Sequence, residues 1–266
     1  MHKLSLHHLT MLDAHPLQLA DAAHAGGFDY YGLRVVAPTA ADHIVDVAHD
    51  AGLIRELEAR MQATGVKLLD IEAIWLQPDT DIGKLLPALE AGHRLGAAHA
   101  LAVGFDDDRV RLMHNFVALC EAAARFGMTV GLELITYCAI GTLSDALATV
   151  RDSGQPNARL LIDALQLFRS GASAADVGRL DPRLIEYIQL CDAPLEAPVS
   201  VAERRTEART ARLLPGEGEL PLQALLDQLR PDLTLAIEVP TLALRGLPFD
   251  EQARIVMQAT QRFLSR

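Results

Sequence analysis

The chain has 266 residues, of which 50% are hydrophobic and 22% are charged, the composition of an ordinary globular protein. Lysine and arginine number 24 against 35 aspartates and glutamates, giving a formal net charge of −11. This charge argues against nucleic acid or an anionic membrane surface as a partner. The three cysteines stand far apart and form no C-x-x-C pair, so we expect no disulfide framework and predict a cytoplasmic location.

Short β-rich runs alternate with longer helical stretches along the whole chain. The predicted strands span residues 4–9, 30–36, 67–76, 99–104, 129–134, 159–163, 184–191 and 233–239. Several helical stretches end in a glycine just before the next strand, as at Gly65 and Gly127, where a left-handed residue closes the helix. Strands separated by helices pair in parallel through crossovers, and eight such rounds are the inventory of a (β/α)8 barrel.

The alternative architecture is an open doubly wound sheet. That fold typically shows a Gly-x-Gly-x-x-Gly turn after its first strand, whereas residues 7–10 of this chain read His-His-Leu-Thr. The sequence also contains no low-complexity linker that would divide it. We therefore predict an α/β protein with a single (β/α)8 TIM-barrel domain over residues 1–266, whose active site lies at the C-terminal face of the barrel.

Four polar residues stand at the ends of the apolar strands five to eight: Glu133, Asp163, Gln189 and Glu238. Any one of them has an ordinary alternative explanation, such as capping the next helix or pairing with an arginine. Together they come from neighbouring strands, so their side chains converge on one side of the barrel mouth. Three buried carboxylates would repel one another, and a divalent cation would resolve that conflict. Oxygen ligands favour Mn²⁺ or Mg²⁺, with Zn²⁺ or Co²⁺ as alternatives.

This ordered set resembles the xylose-isomerase-like, sugar phosphate isomerase/epimerase barrels, whose metal ligands are Glu, Asp, His or Gln, and Glu at these strand ends. The matching stretches are residues 131–133, 161–163, 188–192 and 237–238, and the resemblance covers essentially the whole chain. It implies one metal ion held by the four residues named above. It also implies that Glu133 and Glu238 move the proton, each binding the metal through one oxygen and reaching the substrate carbon with the other.

A second resemblance concerns the stretch after strand seven. Residues 189–194, 209–212 and 215–218 are similar to the corresponding parts of 3-dehydroshikimate dehydratases, in which glutamine replaces histidine as the third ligand. In those enzymes an arginine before the Pro-Gly-x-Gly turn is placed to meet an acidic substrate. The family often carries a histidine three residues after the strand-six aspartate, whereas this chain has Gln166 there.

We predict a metal-dependent sugar or sugar phosphate isomerase or epimerase that removes a proton next to a carbonyl of a polyhydroxylated substrate. Loss of a β-hydroxyl instead gives dehydration, so a lyase of the dehydroshikimate dehydratase type is the alternative. A non-catalytic barrel that binds a metabolite is the further alternative. All ten histidines lie between His2 and His114, which argues against the histidine-rich zinc endonucleases that share this fold. The predicted partners are a small polyhydroxylated or acidic keto substrate and further copies of the chain.

The longest connection without clear structure is residues 192–215, and a loop of that length is usually a functional lid or disordered. Within it, we predict that Arg209 and Arg212 clamp an anionic group of the substrate, carboxylate or phosphate. The alternative is a solvated surface stretch in which Glu203 and Glu207 neutralise the arginines.

Three further side chains are candidates for binding substrate. His7 and His8 end strand one, and alternation turns them to opposite faces, so only one of them, which we assign as His8, would reach the substrate. Glu72 would bind a substrate hydroxyl or pair with Arg34. Trp75 would form an apolar wall of the pocket or pack in the core.

Overall fold

The computed structural model describes residues 2–39 and 42–266, and its eight parallel strands close into a barrel in sequence order. The strands are β1 (Leu4–Leu6), β2 (Tyr30–Arg34), β3 (Lys67–Leu76), β4 (His99–Gly104), β5 (Thr129–Glu133), β6 (Ala158–Asp163), β7 (Ile185–Leu190) and β8 (Thr234–Ile237). Pairing of β8 with β1 completes the circle. The predicted (β/α)8 TIM barrel is therefore confirmed. Each strand overlaps its predicted range, although β1 ends at Leu6 and not at Leu9.

Nine α-helices lie between the strands and a tenth follows β8, counted within the described residues. They are α1 (Pro16–Gly26), α2 (Ala51–Thr64), α3 (Ile82–Arg94), α4 (Arg109–Ala124), α5 (Leu143–Asp152), α6 (Ala164–Arg169), α7 (Ala174–Val177), α8 (Val201–Thr210), α9 (Leu222–Leu226) and α10 (Phe249–Leu264). Asp50, Asp81 and Asp108 cap α2, α3 and α4 by accepting hydrogen bonds from the first backbone N–H groups. Gly65 closes α2 in the left-handed conformation, with φ of 79°. In this described part of the chain, no helix combines the length and the apolar character needed to cross a membrane.

Apolar residues pack on both sides of the barrel wall. On the outer side, helix residues such as Leu19, Leu57 and Phe116 are fully buried. Inside the barrel lies a separate apolar cluster, formed by Leu69, Ala73, Leu101, Val103, Ile135, Leu161, Tyr187 and Ala236. The strands therefore carry apolar side chains on both faces, as expected for a parallel sheet that helices cover.

The interior cluster determines which polar residues face the barrel mouth. Side chains alternate along a strand, so residues two positions further along lie on the same inward face. The inward position after Leu161 is Asp163, the one after Tyr187 is Gln189, and the one after Ala236 is Glu238. Strand periodicity thus places three of the four predicted metal ligands at one level of the barrel.

The connection after β7 differs from the irregular loop that the sequence suggested, because part of it forms α8. Ser200 and Glu203 make a capping box at its start, in which each side chain accepts a hydrogen bond from the other's backbone N–H. Glu207 ties the helix to the barrel through Arg169, whose Nε and Nη2 donate to the two carboxylate oxygens at 2.9 and 2.6 Å. Glu203 and Glu207 therefore fix the helix, and they do not neutralise the arginines that follow.

We expect Glu207→Ala to lower the free energy of unfolding by about 3–5 kcal/mol, because it leaves the buried Arg169 guanidinium without its counter-charge. The side chains of Arg169 and Glu207 are 4% and 9% exposed. The control is Glu203→Ala, which removes only an exposed capping contact and should cost about 1 kcal/mol. Urea unfolding of both variants measures the difference. Equal losses would mean that the Arg169–Glu207 pair does not anchor α8.

Candidate active site

A cavity of about 320 Å³ opens at the C-terminal ends of the strands. Part of its wall is apolar, and there the rings of Trp75 and Phe105 stack with centroids 3.9 Å apart. The ionisable side chains that line it are His7, Arg34, Asp42, Glu72, Tyr137, Arg205, Arg209, Arg212, Glu133 and Glu238. An apolar wall joined to convergent charged groups is the usual composition of a small-molecule site.

The four predicted metal ligands are all buried at this end of the barrel. Glu133 and Asp163 are the last residues of β5 and β6, Gln189 lies in β7, and Glu238 directly follows β8. Their exposed fractions are 6%, 0%, 0% and 3%, in chain order. Neighbouring strand ends therefore bring three carboxylates and one amide into a region with little water to solvate them.

Arg212 lies among these residues. Its Nη1 donates to Asp163 Oδ2 at 2.5 Å and lies 2.9 Å from Glu238 Oε2, while its Nε donates to the Ala208 carbonyl at 2.9 Å. Arg212 thus lines the cavity, as expected of a residue that contacts substrate. In this structure, however, it pairs with Asp163 and Glu238, two of the predicted metal ligands. Within residues 2–39 and 42–266, no three His, Cys, Asp or Glu side chains form a cluster arranged to hold a metal ion.

His7 is a second basic residue beside Glu238. Its Nδ1 lies 3.0 Å from Glu238 Oε1, its Nε2 lies 3.1 Å from Glu72 Oε1, and the Gln189 amide nitrogen is 2.8 Å from Nε2. Burial opposes the charged ring, but the carboxylates of Glu238 and Glu72 outweigh burial and raise the pKa of His7 to about 10. His7 therefore links the ends of β3 and β8 through its contacts with Glu72 and Glu238.

The carboxylates show the repulsion expected when acidic groups are buried together. Burial and the charges of Asp163 and Glu238 raise the pKa of Glu133 well above its usual range. Burial also raises the pKa of Asp163 to about 6, although Arg212 opposes it. For Glu238 the balance is reversed, because Arg212 and His7 outweigh burial and hold its pKa well below the usual value.

Several oxygens of the four predicted metal ligands accept no hydrogen bond from the described residues. Such oxygens are available to bind a cation. Gln189 Oε1 and Glu238 Oε2 are buried without a hydrogen bond, since Arg212 approaches Glu238 Oε2 in a poor direction for one. Among the described residues, none donates a hydrogen bond to the Glu133 carboxylate or forms an ion pair with it. Buried acceptors without donors, all of them oxygens, are the chemistry that a hard divalent cation requires. These residues fit such a cation once the Arg212 guanidinium moves away from Asp163.

Comparison with known proteins agrees with this fold. The sequence pattern of the family described as "Xylose isomerase-like TIM barrel" matches residues 19–252. The chain belongs to the xylose isomerase-like TIM barrel family. No curated protein sequence matches the chain.

Proteins of similar fold whose structures are solved have names that indicate different activities. A crystal structure of the IolI protein with a bound zinc atom has a TM-score of 0.80 at 19% identity, over 99% of this chain and 98% of that one. The 3-keto-D-glucoside 4-epimerase YcjR from E. coli has a TM-score of 0.75 at 15% identity, over 100% of both chains. The probable 3-DHS dehydratase AsbF from Bacillus anthracis, involved in petrobactin synthesis, has a TM-score of 0.74 at 16% identity, over 97% and 98%. At these identities the likeness shows the fold alone.

In this xylose isomerase-like barrel, His7 and not His8 reaches the cavity. The chain turns into a short 3₁₀ helix at His8, whose Nδ1 accepts from the Arg34 N–H at 2.9 Å and whose Nε2 lies 3.2 Å from the Ala14 carbonyl. Burial and the charge of Arg34 lower the pKa of His8 to about 3, so the ring is neutral. The prediction that His8 faces the substrate site is therefore corrected: His8 contacts the backbone of Ala14 and Arg34 in the barrel wall, and His7 is the histidine that lines the cavity.

The remaining predicted substrate residues all line the cavity. Glu72 does so while pairing with Arg34 at 3.2 Å, so both of its predicted roles are compatible with the structure. Trp75 forms the expected apolar wall, and Arg209 lies 3.6 Å from Asp42 Oδ1. Gln166 also lines the cavity and accepts from the Thr136 N–H at 3.2 Å.

Three ionisable residues that line the cavity were not predicted from the sequence: Asp42, Tyr137 and Arg205. Asp42 and Tyr137 come from loops after β2 and β5, where no periodicity marks them. Arg205 precedes Arg209 by four residues and Arg212 by seven, which is the spacing of one helix face. That signal was available, but it has meaning only if residues 201–210 are first recognised as a helix.

Proposed function

We propose that this barrel is a divalent-metal-dependent enzyme that removes a proton from the carbon next to a carbonyl in a small hydroxylated substrate. Isomerisation or epimerisation of a sugar or related compound is the principal reaction. The observation that carries the proposal is the position of Glu133 and Glu238, which face one cavity from β5 and β8. The family and its neighbours support it, since YcjR is an epimerase by name.

Two carboxylates that reach a substrate from different parts of the barrel can act on opposite faces of one carbon. Glu133 has no donor among the described residues, so its oxygens are available to give or take a proton. Glu238 is oriented by His7 on one oxygen and faces Arg212 with the other. Deprotonation by one glutamate and return of the proton by the other is the sequence that a two-base epimerisation requires.

Glu133, Asp163, Glu238 and the Oε1 atom of Gln189 would hold the metal. When bound, the metal would stabilise the negative charge that develops on the substrate oxygen during deprotonation. Oxygen ligands favour Mn²⁺ or Mg²⁺, and the zinc in the IolI structure makes Zn²⁺ the third metal to test. Arg212, released from Asp163, would then stay beside Glu238, whose Oε2 lies 2.9 Å from its Nη1.

Dehydration is the second candidate reaction. Gln189 would be the third ligand, as the resemblance to the dehydratases implies, and four arginines line the cavity. AsbF, a probable 3-DHS dehydratase by name, has the same fold. Proton removal would be followed by loss of a β-hydroxyl, which leaves as water.

Proton NMR of a substrate panel in D₂O tests the proposal. Metal-loaded protein is incubated with ketoses, aldoses, keto sugars and hydroxylated keto acids, and the mass of each product is recorded. Exchange of the proton next to the carbonyl, with no mass change beyond the label, is expected for isomerisation or epimerisation. Loss of water would identify the lyase. If metal-loaded protein exchanges no proton in any compound, the proposal fails and the non-catalytic binding barrel replaces it.

A further inference from the structure

One face of α8 is turned toward the cavity. Residues Arg205, Ala208 and Arg209 of the helix line it, and Arg212 continues the same spacing beyond the helix end. The Arg169–Glu207 pair fixes the helix against the barrel, so these side chains are held in place over the cavity. Three arginines on one short stretch of an acidic protein indicate an anionic ligand.

Most of the cations that line the cavity already have carboxylate partners. Arg34 pairs with Glu72 at 3.2 Å, Arg209 lies 3.6 Å from Asp42, and Arg212 pairs with Asp163 and Glu238. Arg205 is the exception, since no carboxylate of residues 2–39 and 42–266 forms an ion pair or a hydrogen bond with it. One exposed guanidinium at the cavity is therefore without a carboxylate partner in the described part of the chain.

Arg205 nevertheless has a defined position. Its guanidinium carbon lies 5.3 Å from the centroid of the Tyr137 ring, within the range of a cation–π contact. Tyr137 also lines the cavity and follows Glu133 by four residues in the loop after β5. The ring holds the guanidinium at the cavity while leaving its N–H donors free.

We propose that Arg205, resting on Tyr137, binds a carboxylate of the substrate and makes the enzyme select a hydroxylated monocarboxylic acid over a neutral sugar. The proposal rests on the proposed function only in placing the substrate in this cavity. Arg205 would thus select the anion, whereas Arg209 and Arg212 pair with carboxylates of the protein.

The charge and shape of the cavity favour a carboxylate over a phosphate. One unpaired guanidinium matches the single charge of a carboxylate, whereas a phosphate monoester carries about −1.5 to −2 at neutral pH. The planar guanidinium also matches a carboxylate with two parallel hydrogen bonds. The stacked Trp75 and Phe105 rings offer a flat apolar surface to the carbon skeleton of a small ring.

Trp75 provides a direct binding measurement, because it is the one tryptophan of the chain and lines the cavity. Its fluorescence is titrated, in Mn²⁺-loaded full-length protein, with glucose, glucuronate and glucose 6-phosphate. These share a ring and differ at one carbon. Quinate and its methyl ester form a second matched pair. The variants are Arg205→Ala, Arg205→Lys and, as control, Arg204→Ala, whose side chain donates to the Pro198 carbonyl and does not line the cavity.

We expect at least one acid to bind roughly tenfold more tightly than its neutral counterpart. Arg205→Ala should remove most of that difference, Arg205→Lys should keep part of it, and Arg204→Ala should keep all of it. The proposal is overturned if Arg205→Ala retains the preference, if glucose 6-phosphate outcompetes both acids, or if neither acid binds better than its neutral counterpart. Acid binding that depends on Arg205 without any exchange in D₂O would contradict the proposed reaction and leave this inference intact.

Discussion

Glu133→Gln and Glu238→Gln are each expected to lower kcat by about 10²–10⁴-fold, the usual cost of losing a general base. Glutamine keeps one oxygen at the ligand position and removes the group that accepts the proton. The measurement is kcat on the substrate found by NMR, with metal content determined on the same samples. Thermal unfolding of each variant checks that the fold is retained.

Glu217→Gln is the matched control for these variants, because Glu217 is exposed and does not line the cavity. It should leave kcat unchanged. Near-normal kcat in both site variants, with metal bound, would mean that neither glutamate is the base. His7 and Glu72, which also line the cavity, would then be the next candidates.

Removal of the metal is expected to abolish activity, and addition of Mn²⁺ or Mg²⁺ should restore it. Asp163→Ala should weaken metal binding by about 100-fold or more, and by more than either glutamine variant does, because it removes a charged ligand outright. Isothermal titration with Mn²⁺ measures the affinity directly. Asp152→Ala, a change at an exposed residue at the end of α5, is the control and should bind Mn²⁺ as the unaltered protein does. Full activity after exhaustive chelation would contradict a metal-dependent reaction.

The barrel could be predicted because its signal is local and repeated. Each strand is a short apolar run, and most helices have a capping residue or a closing glycine, as Asp50 and Gly65 show for α2. The strand-end residues followed from the same logic, because the C-terminal face collects polar groups from neighbouring strands. No long-range information was needed for these features.

The contacts inside the site depend on side chains far apart in the chain. Arg212 reaches Asp163 across 49 positions, and His7 contacts Gln189 across 182. Strand alternation predicted that His7 and His8 point to opposite faces. It could not show which ring enters the cavity, because that depends on the 3₁₀ turn that begins at His8. Similarly, α8 is highly polar and lacks an apolar stripe, so its sequence shows no helical pattern strong enough to locate Arg205.

A crystal grown with Mn²⁺ and measured at a wavelength where manganese scatters anomalously tests the central claim most directly. The account predicts an anomalous peak contacted by Glu133, Asp163, Glu238 and the Oε1 atom of Gln189, with the Arg212 guanidinium moved away from Asp163. It would be contradicted by a site without such a peak at saturating Mn²⁺, in which Arg212 still bridges Asp163 and Glu238.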